Sequence, residues 1–352
     1  MDYGVAVATS TESWKAVKRA EELGFTHAWF YDTQLLNPDV FIGMTQAAMA
    51  TSRIRLGTGV LIPSNRIEAV TANALATLNR IAPGRIDFGV GTGFTGRRTM
   101  GLGAISLARL ERYVNRVQAL LRGETVEWQF EGERRRIRFL NPDFGLINLQ
   151  DPIALHVSAM GPKARRMAAK LGAGWLNFGG DVGRAVVELG DMRQAWSEHQ
   201  STNPLYSTLF SLGCVLARGE RSDSERALAE AGPLVAVTFH NLVETTTEET
   251  SGALPPAIAA PLREYRRLYA DYSPEDARYL SNHRGHLMFL RPEERHLISA
   301  ELISMMTFTG TKEALRDRLR AVASAGYSQF VIQIVEHHEA ALESWSEVFA
   351  TV

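Results

Sequence analysis

Short β-rich runs alternate with helical repeats along most of this chain, and no other feature of the sequence restricts its fold so tightly. Residues 3–8 (YGVAVA) read as a buried strand. Trp14, Val17, Ala20 and Leu23 then recur at helical spacing and stop at Gly24. The pattern repeats with a strand at 27–31 (HAWFY) and a helix at 38–50, where Asn37 is the expected N-cap and Pro38 the first helical residue. A strand at 53–60 and a helix at 69–81 come next, and Pro83-Gly84 turns the chain into a fourth strand at 85–90. A long helix follows at about 107–121. Strands at 153–157, 175–178, 206–217 and 329–335 then alternate with helices at 163–171, 184–199, 311–325 and about 339–349. Strands separated by helices pair in parallel. Eight such units in 352 residues favour an α/β fold of the (β/α)8 TIM barrel type over a doubly wound open sheet.

Two segments break this rhythm. Residues 125–140 carry alternating strand residues about Glu131-Gly132, with a basic run Arg134-Arg135-Arg136, and read as a hairpin insertion spanning about 123–152. Residues from about 222 to 305 are helical, interrupted by Pro255-Pro256 and by a polar loop around Asn282, and read as a second insertion. No low-complexity linker separates these parts, so residues 1–352 are expected to form one barrel domain with two insertions.

Composition narrows the function classes. Lys and Arg number 38 against 39 Asp and Glu, a net charge of -1, which disfavours nucleic acid or an anionic membrane as partner. The lone Cys214 forms no internal disulfide and rules out a cysteine-cluster metal site, pointing to a reducing cytoplasm. No run of eighteen apolar residues is present, and the opening Met1-Asp2-Tyr3 lacks the pattern of a signal peptide. A cytoplasmic protein acting on a small molecule is the expectation.

In such a barrel, chemistry sits where the strands end and the loops to the helices begin. The glycine run from Gly89 to Gly103 has the spacing of a dinucleotide fingerprint at Gly91, Gly93 and Gly96. Against that fingerprint, it follows the fourth strand, Gly101 and Gly103 prolong the loop, and Glu111 falls inside a helix. It reads either as backbone bared for a flat ligand or as a set of tight turns. At Ser158-Ala159-Met160-Gly161 a strand ends in small residues and a helix starts at Pro162 or Lys163. The amides of Lys163 and Ala164 then either accept a phosphate, with Lys163 or Arg165 adding charge, or belong to an ordinary turn. Asp32 is either a site carboxylate or a helix cap. His283 and His286 are candidate catalytic or substrate-facing groups; with no third ligand near them in the sequence, no metal site is expected.

Several stretches resemble the bacterial luciferase-like family, the flavin-dependent monooxygenases and their deazaflavin-using relatives. They are 20–25 (AEELGF) with Ala28-Trp29 and Asp32, 47–60 (AAMATSRIRLGTGV), 72–93 (ANALATLNRIAPGRIDFGVGTG), 158–169, and 307–311 (TFTGT) with 325–327 (AGY). The resemblance implies a (β/α)8 barrel, usually dimeric, that binds FMN or coenzyme F-420 at the strand ends. It implies that Gly59 and Val60 form a bulge, often a non-prolyl cis peptide, that props the middle of the isoalloxazine ring. Thr92 and Gly93 would line the ring's polar edge and ribityl chain, and Ser158, Ala159, Met160 and Gly161 would hold the phosphate, which the helix-start reading extends to Lys163. Asp32 would lie near the pyrimidine or the reacting face.

One position departs from the pattern. Many deazaflavin-dependent members place a histidine directly after the aspartate, whereas this chain has Thr33, which cannot act as a base near neutral pH. The local likeness at 84–93 and 158–162 is nevertheless to the deazaflavin-using, methylenetetrahydromethanopterin-reductase-like branch. The leading expectation is a monooxygenase that takes reduced FMN from a separate reductase and oxygenates a small organic substrate with dioxygen. The helical insertion would lie over the mouth as a lid, with His283, Arg284 and His286 on the substrate side. Two alternatives stand beside it. One is hydride transfer with coenzyme F-420, whose long anionic tail Arg97, Arg98 and Arg165 could meet; the other is a flavin-binding protein without turnover.

Overall fold

Eight strands pair in parallel and close on themselves in a computed structural model that describes residues 1–199, 203–250 and 254–352. The chain runs β1 (Asp2–Val7), α1 (Ser13–Glu22), β2 (His27–Phe30), α2 (Val40–Ala50), β3 (Arg55–Thr58), α3 (Glu68–Ile81) and β4 (Ile86–Val90). The short α4 (Phe94–Arg98) and the longer α5 (Leu107–Leu121) follow, then a hairpin of β5 (Val126–Phe130) and β6 (Glu133–Ile137). Alternation resumes with β7 (Ala154–Ser158), α6 (Pro162–Lys170), β8 (Gly174–Phe178), α7 (Val182–Glu198) and β9 (Ser207–Ser211). A two-residue β10 (Val215–Leu216) leads into α8 (Glu225–Thr245), α9 (Pro256–Ala270), α10 (Tyr279–Asn282) and α11 (Ala300–Met306). The chain returns through β11 (Gly310–Thr311), α12 (Lys312–Ala325), β12 (Gln329–Ile334) and α13 (Ala341–Phe349). Around the barrel the order is β1, β2, β3, β4, β7, β8, β9, β12, and β12 pairs with β1 from Asp2↔Gln329 to Val7↔Ile334. The (β/α)8 barrel expected from the sequence is the fold observed.

Local chemistry accounts for most element ends, and for two departures from expectation. Helix α2 starts two residues later than its Asn37-Pro38 signal: Asp39 is the cap, accepting from the amides of Phe41 at 2.9 Å and Ile42 at 3.3 Å. The run 206–217 is two strands, because the chain leaves the barrel at Leu212-Gly213. A Cβ on Gly213 would lie 1.9 Å from the carbonyl oxygen of Phe308, so only glycine lets the returning segment cross here. The amide of Phe308 donates to the Leu212 carbonyl at 2.8 Å, and β10 then pairs with β11 outside the barrel. In the hairpin, Glu131 and Gly132 both have positive φ, the geometry of a two-residue turn that matches strand twist.

The barrel interior is filled rather than open. Trp29 lies at its centre with Ala6, Leu176, Phe210 and Val331, and its indole N–H donates to Gln329 Oε1 at 3.1 Å. Glycines on the adjoining strands make the room: a Cβ at Gly57 would sit 2.6 Å from the Trp29 ring, and one at Gly89 would sit 2.0 Å from the Thr58 carbonyl. Below the indole, Asp87 is buried against Arg55, with 2.6 Å between Arg55 Nη2 and Oδ1, and the imidazoles of His156 and His27 lie 3.6 and 4.0 Å from its oxygens. The helical insertion has a core of its own, including Leu228, Val235, Phe239, Leu262, Tyr265 and Leu302. No helix among the described residues is long and apolar enough to cross a membrane.

Candidate active site

Loops from β2, β3, β4 and β7 meet at the C-terminal mouth of the barrel. The Gly59–Val60 peptide is cis, as the family resemblance implied. Beyond it, Leu61 donates to the Gly89 carbonyl at 2.8 Å and accepts from the Gly91 amide at 3.2 Å, which pins the bulge to the end of β4. Val60 stays half-exposed, and with Tyr31 and Phe178 it caps the interior cluster around Trp29. A Cβ on Gly91 would lie 2.9 Å from Val60 Cγ2 and 3.5 Å from Ser158 Cβ, so three loops share one contact point.

The glycine run is explained mainly by such approaches. Gly93 has φ +75° and caps α4, with Ile62 and Arg97 in the space a side chain would need; Gly96 is closed by Ile62 and Gly101 by Tyr279. Close packing thus accounts for the absence of side chains at these positions. Thr92, between Gly91 and Gly93, remains half-exposed.

The start of α6 is different, because nothing among the described residues fills it. Gly161 is the N-cap in an extended conformation, no side chain caps the helix, Pro162 carries no N–H, and the space beside Gly161 is open. Met160, Gly161 and Lys163 are exposed, Ser158 is half-buried, and the buried Ala159 is fixed by its carbonyl, which accepts from Trp175 Nε1 at 2.8 Å. Unpaired amides, the positive end of the helix and an adjacent lysine form a site of the right chemistry for a phosphate group. The charge expected from Arg165 is not available there. Its guanidinium is buried, paired with Asp191 at 2.8 Å, and lies over the Trp175 ring.

Asp32 is buried and fully engaged. Arg66 Nη1 lies 2.9 and 3.0 Å from its two oxygens, the Ile62 amide donates at 3.0 Å, and Asn65 Nδ2 donates at 3.3 Å. The carboxylate ties the loop after β3 to the end of β2 and is neither a helix cap nor a free base. Thr33, beside it, accepts from the amides of Leu36 and Asn37 through its carbonyl. A polar chain that sequence reasoning missed runs close by: Tyr31 donates to Gln333 Oε1 at 2.5 Å, and Gln333 Nε2 donates to the Leu287 carbonyl of the insertion at 2.6 Å. Burial holds the Tyr31 phenol above its ordinary pKa. The signal was present, since Gln333 is the one polar residue within the apolar stretch FVIQIV.

The insertion docks on the mouth through that contact and several others. Asn37 Nδ2 lies 3.3 Å from Met288 Sδ, and Arg98 donates to Asn241 at 3.1 Å while stacking on Phe94. Arg98 is thereby drawn to the insertion, and Arg97 donates to the Gly103 carbonyl at 2.6 Å. His283 and His286 are buried at 1% and 6% exposure, so neither stands on an open substrate-facing surface. Their neighbour is His240, from α8, whose place among the apolar residues of a helix 43 positions upstream gave no hint of the contact.

Comparison with known proteins agrees with this geometry. The chain is 36% identical over 138 residues to an F420-dependent glucose-6-phosphate dehydrogenase of Beutenbergia cavernae, covering 37% of this chain and 39% of that one. It is 33% identical over 162 residues to the 5,10-methylenetetrahydromethanopterin reductase of Archaeoglobus fulgidus, covering 46% and 47%. Each match thus spans less than half of the relative's length. The coenzyme F420-dependent tetrahydromethanopterin reductase of Methanopyrus kandleri shares the fold, with a TM-score of 0.71 over 98% of this chain and 97% of that one at 19% identity. Residues 5–329 match the luciferase-like monooxygenase family, and with a closed barrel carrying the cis bulge and the open helix start, the chain belongs to that family of oxidoreductases.

Proposed function

We propose that this protein is a coenzyme F-420-dependent reductase that acts on an electron-poor carbon of a small organic acceptor. The observation that carries the choice of reduction over alcohol oxidation is the state of Asp32. Oxidising an alcohol requires a base to take the hydroxyl proton as hydride leaves. Asp32 has both oxygens committed to Arg66, and the neighbouring Thr33 is no substitute. Hydride addition to an electron-poor carbon requires no such base; where the acceptor is neutral, the product takes its proton from solvent. The F420-dependent dehydrogenase among the relatives supports the cofactor, and the methylenetetrahydromethanopterin reductase supports the direction of transfer.

In this reading, the amides at the start of α6, with Ser158, Ala159, Met160, Gly161 and Lys163, hold the phosphate. Gly59, Val60, Thr92 and Gly93 bound the ring site. The deazaflavin, when bound, supplies a carbon-centred hydride, and the protein's part is position and exclusion of water. Tyr31 keeps its proton, because burial raises its pKa, and donates it to Gln333 Oε1, so its hydroxyl oxygen is the acceptor it offers at the mouth. The basic surface left for an anionic tail is exposed Lys163 and Arg166.

Titrating the purified protein with coenzyme F-420 and with FMN, each oxidised and reduced, tests the proposal by fluorescence. Micromolar binding of the deazaflavin, with no binding of FMN, is the expected result. Binding of FMN alone would overturn it and restore the oxygenation reading; retention of the deazaflavin without reduction of any acceptor offered would favour a non-catalytic carrier.

A further inference from the structure

Three imidazoles distant in sequence share one buried spot in the helical insertion. His240 comes from α8, and His283 and His286 from the turn after α10; they are 2%, 1% and 6% exposed. A ring nitrogen of each lies within 4.8 Å of a ring nitrogen of both others, the only such grouping of metal-ligating side chains among the described residues. Carboxylates meet the Nε2 atoms of two of the three rings. Glu294 Oε1 is 2.5 Å from His240 Nε2, and Glu244 Oε1 is 3.0 Å from His283 Nε2. Both acids are themselves held, Glu294 by Arg291 and by the Tyr265 hydroxyl at 3.2 Å, Glu244 by Asn282 Nδ2 at 2.7 Å. The Nδ1 atoms of all three histidines are buried without any hydrogen-bond partner.

Leaving three buried ring nitrogens unpaired in one place is costly, since each forfeits about 1–3 kcal/mol of solvation. An imidazole with one nitrogen on a fixed carboxylate and the other unpaired is the arrangement of a metal-ligating histidine and its orienting partner. We propose that His240, His283 and His286 bind one divalent transition-metal ion of the zinc class, with Glu294 and Glu244 orienting two of the rings. Metal–nitrogen bonds of about 2.1 Å in a tetrahedral site put ligand atoms about 3.4 Å apart. The rings need close up by no more than about 1.4 Å from the observed limit of 4.8 Å. Three protein ligands leave a fourth position for water or another small ligand. The ion would tie α8 to the turn whose Leu287 carbonyl receives Gln333 at the mouth, and so would fix the lid against the barrel. This site does not depend on which cofactor the barrel takes.

Full-length protein without a histidine tag, stripped with a chelator and titrated with Co2+, provides the test. We expect one Co2+ per chain with the intense visible bands of a low-coordinate site, displaced by Zn2+. Glu244→Gln, which leaves all three ligands in place, should weaken Co2+ binding about 10- to 100-fold, and His286→Ala should abolish the bands. Absence of the bands in wild-type protein that retains its native circular dichroism would overturn the proposal. So would unchanged Co2+ affinity and spectrum in His286→Ala. Should that variant fail to fold, the wild-type titration and the Glu244→Gln shift still decide the matter.

Discussion

Asp32 and Gly91 show how single residues set the shape of the mouth. Asp32 is the acceptor at which the Ile62 amide, Asn65 and Arg66 converge, and Arg66 is itself mostly buried and shared with Asp39. Replacing Asp32 by Ala would strand part of a buried guanidinium charge. We expect Asp32→Ala to lose about 3 kcal/mol, the lower end for breaking a buried pair because Asp39 remains, read as a lower urea midpoint. An unchanged midpoint would mean the pair is structurally idle. Gly91→Ala acts by volume instead. Its Cβ would meet Val60 Cγ2 at 2.9 Å and push the bulge. Overpacking of this kind costs about 1–3 kcal/mol, so cofactor affinity should fall about tenfold or more, measured by titration against wild type. Affinity equal to wild type would show that the bulge does not bound the ring site. The sequence placed Asp32 at a strand end but could not show Arg66, 34 positions on, because only the closed barrel brings their loops together.

Helix α6 illustrates what an element contributes beyond its residues. Its start is open because Pro162 removes a donor and Gly161 removes a side chain, and both facts are readable in the sequence Met160-Gly161-Pro162-Lys163. The role of Arg165 was not readable. Its position in the first turns suggested a phosphate contact, yet helical phase turns it inward to Asp191 and Trp175. Lys163 stays exposed, so Lys163→Glu should leave stability unchanged while weakening cofactor binding about tenfold, through reversed charge at the helix N-terminus. The two should be followed side by side by thermal melting and cofactor titration; unimpaired binding would move the phosphate away from this helix. Element identity was legible nearly everywhere, since strand and helix periods differ. Boundaries failed where a long-range contact decided them, as at Leu212-Gly213, where Phe308 crosses the chain.

At the scale of the whole barrel, the ends opposite the mouth are closed by charges whose titration should set the acid stability of the molecule. His27 is pushed down to about 4, first by burial, against the attraction of Asp87 and Asp2. Asp87 is raised by burial, but the nearby His156 imidazole and the hydrogen-bonded Arg55 outweigh that and hold it at about 2. Both groups have folded pKa values below their unfolded ones, so each contributes stability at higher pH that is lost on acidification. For His27 the contribution is complete above about pH 6.5 and fades as pH falls through 4; for Asp87 it is complete above about pH 4 and fades through 2. The shift at His27 corresponds to roughly 3 kcal/mol across its window, an order-of-magnitude figure. Other acids titrate in the same range, so the informative quantity is the difference between wild type and a variant at each pH. His27→Gln removes one titrating group while keeping a polar side chain beside Asp87. The urea midpoint of this variant should therefore decline less than wild type between pH 6.5 and 4, with the two slopes converging below pH 4, where Asp87 governs both. Parallel curves through the upper window would show that His27 is protonated in the folded barrel, and the closed lower end would then have to hold a second charge beside Arg55.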